Sequence, residues 1–135
     1  MSWDVFVQDI PQSIRSVDEI PSNFRPASIG RRSELISRIL DVVPFADFSD
    51  PTWGRIDGPT FTIEVNMGEK DLLNGFAFHA RGDEMAAEVI AEILLHLELR
   101  AFDPQVPSDL FELEFDPAVG LRKWRSYRDS VLCKK

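Results

Sequence analysis

Residues 60–66 read Thr-Phe-Thr-Ile-Glu-Val-Asn, with every second side chain apolar. Successive side chains of a strand point to opposite faces. Phe61, Ile63 and Val65 therefore define a face to be buried, and Thr60, Thr62, Glu64 and Asn66 a polar one. A helix built from the same residues would scatter the apolar set around its axis. Turn signals flank the strand: Gly58-Pro59 before it, and Met67 to Asp71 after it, where Gly68 is free to take positive φ. Further strands are expected at Trp53 to Asp57 and Leu73 to Ala80. In the latter, Phe76, Phe78 and Ala80 alternate with Gly75, Ala77, His79 and Arg81. The stretch from Asp50 to Arg81 is thus expected to form a three-stranded antiparallel meander.

Opposed side chains of an antiparallel pair share a face, which restricts the register. A tight turn at Gly58-Pro59 sets Ile56 opposite Phe61, Arg55 near Thr62 and Trp53 near Glu64. Pairing Ile63 with Phe76 or Phe78 keeps the apolar sets together. The polar face then gathers Trp53, Arg55, Thr62, Glu64 and His79, which form the candidate binding site.

The flanking chain supplies the rest of the frame. Trp3 to Gln8 alternates as a first strand, with Trp3, Val5 and Val7 on one side and Asp4, Phe6 and Gln8 on the other. Asp9 to Ser28 carries Pro11, Pro21 and Pro26, reads as an ordered loop with a turn at Ser16 to Ile20, and is expected to be pinned to the core by Ile14, Val17, Ile20 and Phe24. Arg31 to Val43 is a helix with Leu35, Ile36, Ile39, Leu40 and Val43 on one stripe, Ser28 as N-cap and Pro44 as its stop. Asp83 to Leu99 is a second helix, its apolar face running from Met85 to Leu97 and its charged face through Glu84, Glu88 and Glu92. Arg100 to Asp103 reads as a short strand, Pro104 to Ser108 as a linker and Leu110 to Phe115 as an edge strand. Asp116-Pro117 opens a last helix, about Pro117 to Leu132, with Leu121, Trp124, Tyr127, Arg128 and Val131 on a stripe. The fold class expected is α+β. It is a two-layer sandwich with an antiparallel sheet of four to five strands, two helices on one face and a C-terminal helix. Residues 1–105 form the domain, and 106–135 an extension belonging to it or to a dimer contact.

A chain of 135 residues with net charge −8 and a pI near 4.7 argues against general nucleic-acid binding, because phosphates demand a basic surface. The charge is uneven. Residues 122–135 hold six Lys/Arg against one acid, +5 in all, leaving −13 on the remainder. Such a body attracts a basic protein partner, or the basic tail of a second copy in a homodimer. No apolar run approaches the ~20 residues of a membrane helix, and Met1 to Asp4 lacks the pattern of a signal peptide, so no membrane contact and a cytoplasmic location are expected.

Motifs for chemistry are sparse. His79 with Glu64 one strand away is the single acid/base pair that the register allows, and a hydrogen-bonded surface pair has the same sequence. His96 has no second His or Cys near it to build a metal site. Asp47, Asp50 and Asp57 resemble a carboxylate cluster but lack the spacing of a calcium loop; Asp50 reads as a cap on the turn before Pro51, and Asp57 as support for the turn at Gly58. No glycine-rich phosphate loop, cofactor motif or activated serine is present. Cys133, near the end, reads as a loosely packed thiol without the surroundings of a nucleophile. Trp53 is set to anchor a partner or to close the core; Trp3 and Trp124 read as core.

Asp50-Pro51-Thr52-Trp53-Gly54, followed by Ile63-Glu64-Val65-Asn66 and Arg100-Ala101-Phe102-Asp103, resembles a set of small uncharacterised bacterial proteins over residues 1–105. Ile20-Pro21-Ser22-Asn23-Phe24-Arg25-Pro26 adds to that likeness. The resemblance implies no established activity. Size, acidity and layout are also similar to immunity proteins of bacterial toxin systems. The expected function is a non-enzymatic, acidic binding protein of immunity-like kind. The alternative is a small enzyme or ligand-binding domain with Glu64 and His79 as acid and base.

Overall fold

The computed structural model describes residues 2–113 and 116–133, without the side chains of 131–133. Among these residues seven strands form: β1 (Trp3–Gln8), β2 (Gly30–Arg31), β3 (Trp53–Asp57), β4 (Phe61–Asn66), β5 (Leu72–Leu73), β6 (Gly75–Gly82) and β7 (Arg100–Phe102). The helices are α1 (Arg32–Val42), α2 (Met85–Leu97) and α3 (Val119–Cys133). Five strands make one antiparallel sheet in the order β3-β4-β6-β1-β7, while β2 and β5 pair separately. The first strand therefore sits inside the sheet, between β6 and β7.

One face of the sheet gathers Ile56, Phe61, Ile63, Val65, Phe76, Phe78, Ala80, Trp3, Val5, Val7 and Ala101, all buried. They join a single apolar cluster with Leu35 and Ile39 of α1, Ile90, Ile93, Leu94 and Leu97 of α2, and Leu121 and Trp124 of α3. Each Val, Leu, Ile or Phe among them, fully buried, contributes about 1.5–3 kcal/mol. α1 packs on α2, α2 on β4 and β6, and α3 on β1.

The helices begin and end nearly as the sequence implies, with different caps. Ser28 is not the N-cap of α1: its hydroxyl accepts from Gly30 N, and Arg31 takes the cap position without a side-chain bond. The intervening β2 pairing displaces it. On α2, Met85 is exposed rather than packed, because the buried stripe starts at the next residue and runs through Ala86, Ala87 and Ile90. On α3, Tyr127 is exposed, while Arg128 lies over the Trp124 ring at 5.0 Å. Arg122 reaches Glu84, the N-cap residue of α2, at 3.1 Å and also pairs with Asp116, so part of the basic helix meets this chain's own acidic body.

The Pro-rich loop is pinned away from the main core. Ile10, Ile14 and Leu110 make a second, smaller apolar cluster, with Ile20 and Phe102 packed against it; Val17 and Phe24 belong to neither cluster. A short 3₁₀ turn at Val17–Glu19 is closed by Ser16 and Glu19 in a capping box. Leu110 bridges Phe102 in isolation and residues 111–113 form no strand; Glu114 and Phe115 of the expected edge strand lie outside the described residues, as do Lys134, Lys135 and the side chain of Cys133.

Both edges of the large sheet are partly covered. Beside β3, Asp47 and Arg55 exchange backbone bonds of 2.8 and 2.9 Å. Beside β7, Asp103 N donates to Asp109 O and Phe111 N to Ala101 O. Part of what each edge strand would offer to another chain is thus engaged, at Arg55 on β3 and at Ala101 and beyond on β7.

A candidate binding face on the sheet

The second face of the sheet is built from the residues between those of the core. Its register differs from the sequence expectation by two residues. Arg55 stands opposite Glu64, Ile56 opposite Ile63, Trp53 opposite Asn66, and Asp57 opposite Thr62. The cause is the connection: Gly58 N bonds Phe61 O, so Pro59 and Thr60 stand at the tip of the turn, one residue later than the Gly58-Pro59 tip expected. Likewise Ile63 faces Ala80 and Val65 faces Phe78. A slip of two keeps every side chain on its own face. All five expected residues, Trp53, Arg55, Thr62, Glu64 and His79, accordingly share the face, in altered partnerships.

Three cross-strand rows result. Asp57, Thr62 and Arg81 form one. Arg55, Glu64, His79 and Asp4 form the next. Trp53, Asn66, Ala77, Phe6 and Phe102 form the third. None of these side chains belongs to the main core cluster. Trp53 and Phe6 are 44% and 41% exposed.

His79 and Glu64 are neighbours in register, yet the imidazole bonds elsewhere. Its Nδ1 lies 2.7 Å from Asp4 Oδ1, and the same oxygen accepts the Ser2 hydroxyl. Glu64 meets Arg81 at 3.5 Å. Arg55 turns along its own strand, and its Nε donates to both carboxylate oxygens of Asp57 at 2.9 Å, which raises the guanidinium above its ordinary value. Asp57 therefore holds Arg55 rather than the Gly58 turn. The Trp53 ring crosses β4 and stacks on His79, with centroids 5.6 Å apart at 18°. Asp4 is the member that the sequence reading did not place in the site. Its signal was present in the polar side of Trp-Asp-Val-Phe-Val-Gln, but only the insertion of β1 beside β6 brings it to His79.

The Asp50-Pro51-Thr52-Trp53-Gly54 stretch aims Trp53 at this face. Asp50 Oδ1 accepts from Thr52 N and Oγ1, holding the Asp50 carboxyl below its usual range. Trp53 N donates to Asp50 O at 3.1 Å. Gly54 is required because the Phe48 ring packs where a Cβ would stand. Asp47 is held in the same way by Ser49, its carboxyl again lowered. All three aspartates of the would-be calcium cluster are thus committed to local partners, and among the described residues no three His, Cys, Asp or Glu converge on a metal position. His96 lies 3.6 Å from Asp41 across α1 and α2.

Two clefts are present at other places. One is lined by residues of the Pro-rich loop and the 108–113 segment, the other by Asp83, Glu84, Met85, Glu88 and Arg125; neither includes Glu64 or His79. No helix among the described residues is long and apolar enough to cross a membrane. No protein-family model matches the chain, and no curated protein or solved structure is significantly similar to it.

Proposed function

We propose that the protein is a non-enzymatic interaction module whose partner docks on the open sheet face. The carrying observation is Trp53 and Phe6, two half-exposed aromatic side chains in one cross-strand row. They are three strand spacings apart, roughly 14 Å. Aromatic anchors of this kind dominate binding energy where they are desolvated. Support also comes from the partly covered edges, which leave the face a larger free surface for contact than strand addition would have. In this reading the helices lie on one side of the sheet as a two-layer sandwich, and the partner supplies a layer on the other. The acidic body steers a basic protein toward the face, in the manner of an immunity protein.

Affinity capture from the native host, with the wild-type chain and a Trp53→Ser/Phe6→Ser double variant, tests the reading. A basic protein held by the wild type, lost by the double variant and released by salt is the expected outcome. Identical capture by both chains overturns it.

Asp4 favours a second reading. A carboxylate on Nδ1 fixes the imidazole orientation and leaves Nε2 as its second polar atom, an arrangement suited to proton transfer. If Glu64→Gln and His79→Ala leave every screened activity and every ligand-induced melting shift unchanged, this enzyme reading fails.

A further inference from the structure

The cleft between the Pro-rich loop and residues 108–113, about 660 Å³ in volume, lies at the β7 edge and shares no residue with the aromatic row. Small-ligand sites occupy roughly 300–1,000 Å³. Ile14, Leu110 and Phe111, all buried, give it an apolar floor. Two cations line it, Arg15 and Arg100. Arg100 is fixed in place: its Nη1 donates to Pro11 O at 2.6 Å and to Ile14 O at 2.9 Å. That leaves the Nε and Nη2 edge of the fork for another acceptor. Among the described residues neither arginine is in an ion pair. Glu19 lies close enough to feel both charges, but its carboxylate accepts the backbone N–H groups of Arg15 and Ser16, which hold its carboxyl below the usual range.

We propose that this cleft binds a small organic monocarboxylate with a short apolar body. The guanidinium of Arg100 is preorganised by two main-chain carbonyls, and its planar fork matches a carboxylate. Arg15, on the exposed loop, closes on the same anion from the other side. The hydrocarbon part lies over Ile14, Leu110 and Phe111, while Gln12 and Ser13 offer further donors at the rim. Glu112 on the wall and Glu19 behind the loop set the charge limit. A dianion meets two carboxylates, so a singly charged head fits better.

Benzoate is the probe, with benzamide as its neutral match and phenyl phosphate as its dianionic one. Each is titrated into the full chain and followed by amide and arginine Nε–H NMR. Saturable shifts confined to residues 12–15, 100 and 108–113 are expected for benzoate, with a dissociation constant on the order of millimolar, as befits so few atoms. Benzamide should give none, and phenyl phosphate weaker ones. Arg100→Lys removes the fork and should abolish saturation. Arg15→Ala, on an exposed side chain, keeps the fold and should weaken benzoate about tenfold, the loss of one charge-assisted hydrogen bond. Equal shifts with benzamide, tighter binding of phenyl phosphate, shifts centred on Trp53 and His79, no saturation, or unchanged affinity in Arg15→Ala would each overturn the proposal.

Discussion

Trp3 and Asp4 are adjacent on β1 and serve opposite faces of the sheet. Trp3 is wholly buried; its Nε1 donates to Asp103 Oδ1 at 3.1 Å, and its ring stacks on Phe111. Asp4 keeps 39% of its side chain exposed and meets His79 Nδ1 at 2.7 Å. Both contacts join an aromatic ring nitrogen to a carboxylate. The difference lies in water. Solvent still hydrates Asp4, so its pair forms at little cost and is worth little. Asp103 is wholly buried, and among the described residues its Oδ2 has no hydrogen-bond partner. Burial pushes its carboxyl above the usual range, against the lowering effect of Trp3, Gln105 N and Lys123 and with the help of Asp109. One side of the strand thus concerns stability, and the other belongs to the face proposed for recognition. The largest effect tests that division. Trp3→Ala should cost about 3–5 kcal/mol in urea unfolding, and Trp53→Ala less than about 0.5 kcal/mol. Equal losses would erase the distinction between the faces.

Gly120 sharpens the buried half. It sits in the first turn of α3, and a Cβ there would fall on the Asp103 carboxylate. Gly120→Ala should destabilise by about 1–3 kcal/mol through overpacking, and less in an Asp103→Ala background. Additive costs in the double variant would show that the two residues do not share the space.

Asp103→Asn probes the charge itself. The folded carboxyl has a raised value, so the native state holds its proton to higher pH than the unfolded chain does. The sign follows: the wild type is most favoured below the ordinary aspartate range. It loses stability as pH climbs from there through the raised folded value, and the loss is constant above it. Asparagine has no charge to bury. The variant should therefore gain on the wild type as pH rises, by about 1–3 kcal/mol at neutral pH, the common cost of a buried polar group without a partner. Asp47, Asp50 and Glu19 have lowered values and act in the opposite sense, but both proteins carry them, so they cancel in the difference. Parallel stability curves would remove burial as the cause.

What the sequence made legible was periodicity. Phe61, Ile63, Phe76 and Phe78 reach the core, and Trp53, Arg55, Thr62, Glu64 and His79 share the other face, because alternation determines the face and is blind to neighbours. Register failed by two residues for the same reason: a slip of two leaves the alternation intact, and which two residues around Gly58 form the tip of the turn is not written in its composition. Asp4 and Asp103 escaped notice because their partners come from long-range pairing. His79 lies 75 residues from Asp4, and Trp3 lies 100 from Asp103. No local window contains either pair.

The smallest expected effect lies on the open face, and it decides whether Asp4 organises the site or only decorates it. A double-mutant cycle of Asp4→Ala and His79→Ala should yield a coupling of about 0.2–1 kcal/mol, as partly exposed pairs do. The matched cycle of Trp3→Phe and Asp103→Asn should give more, since its hydrogen bond is wholly buried. Stability is the lesser readout. His79 also carries the Trp53 stack, so Asp4→Ala should free the imidazole and with it the indole, seen as line broadening of both rings by NMR. Sharp, unshifted Trp53 signals in Asp4→Ala would mean that the indole is held by the Asp50 turn and β3 alone. The aromatic anchor would then stand independently of the Asp4–His79 pair, and the interaction and enzyme readings of this face would rest on separate residues.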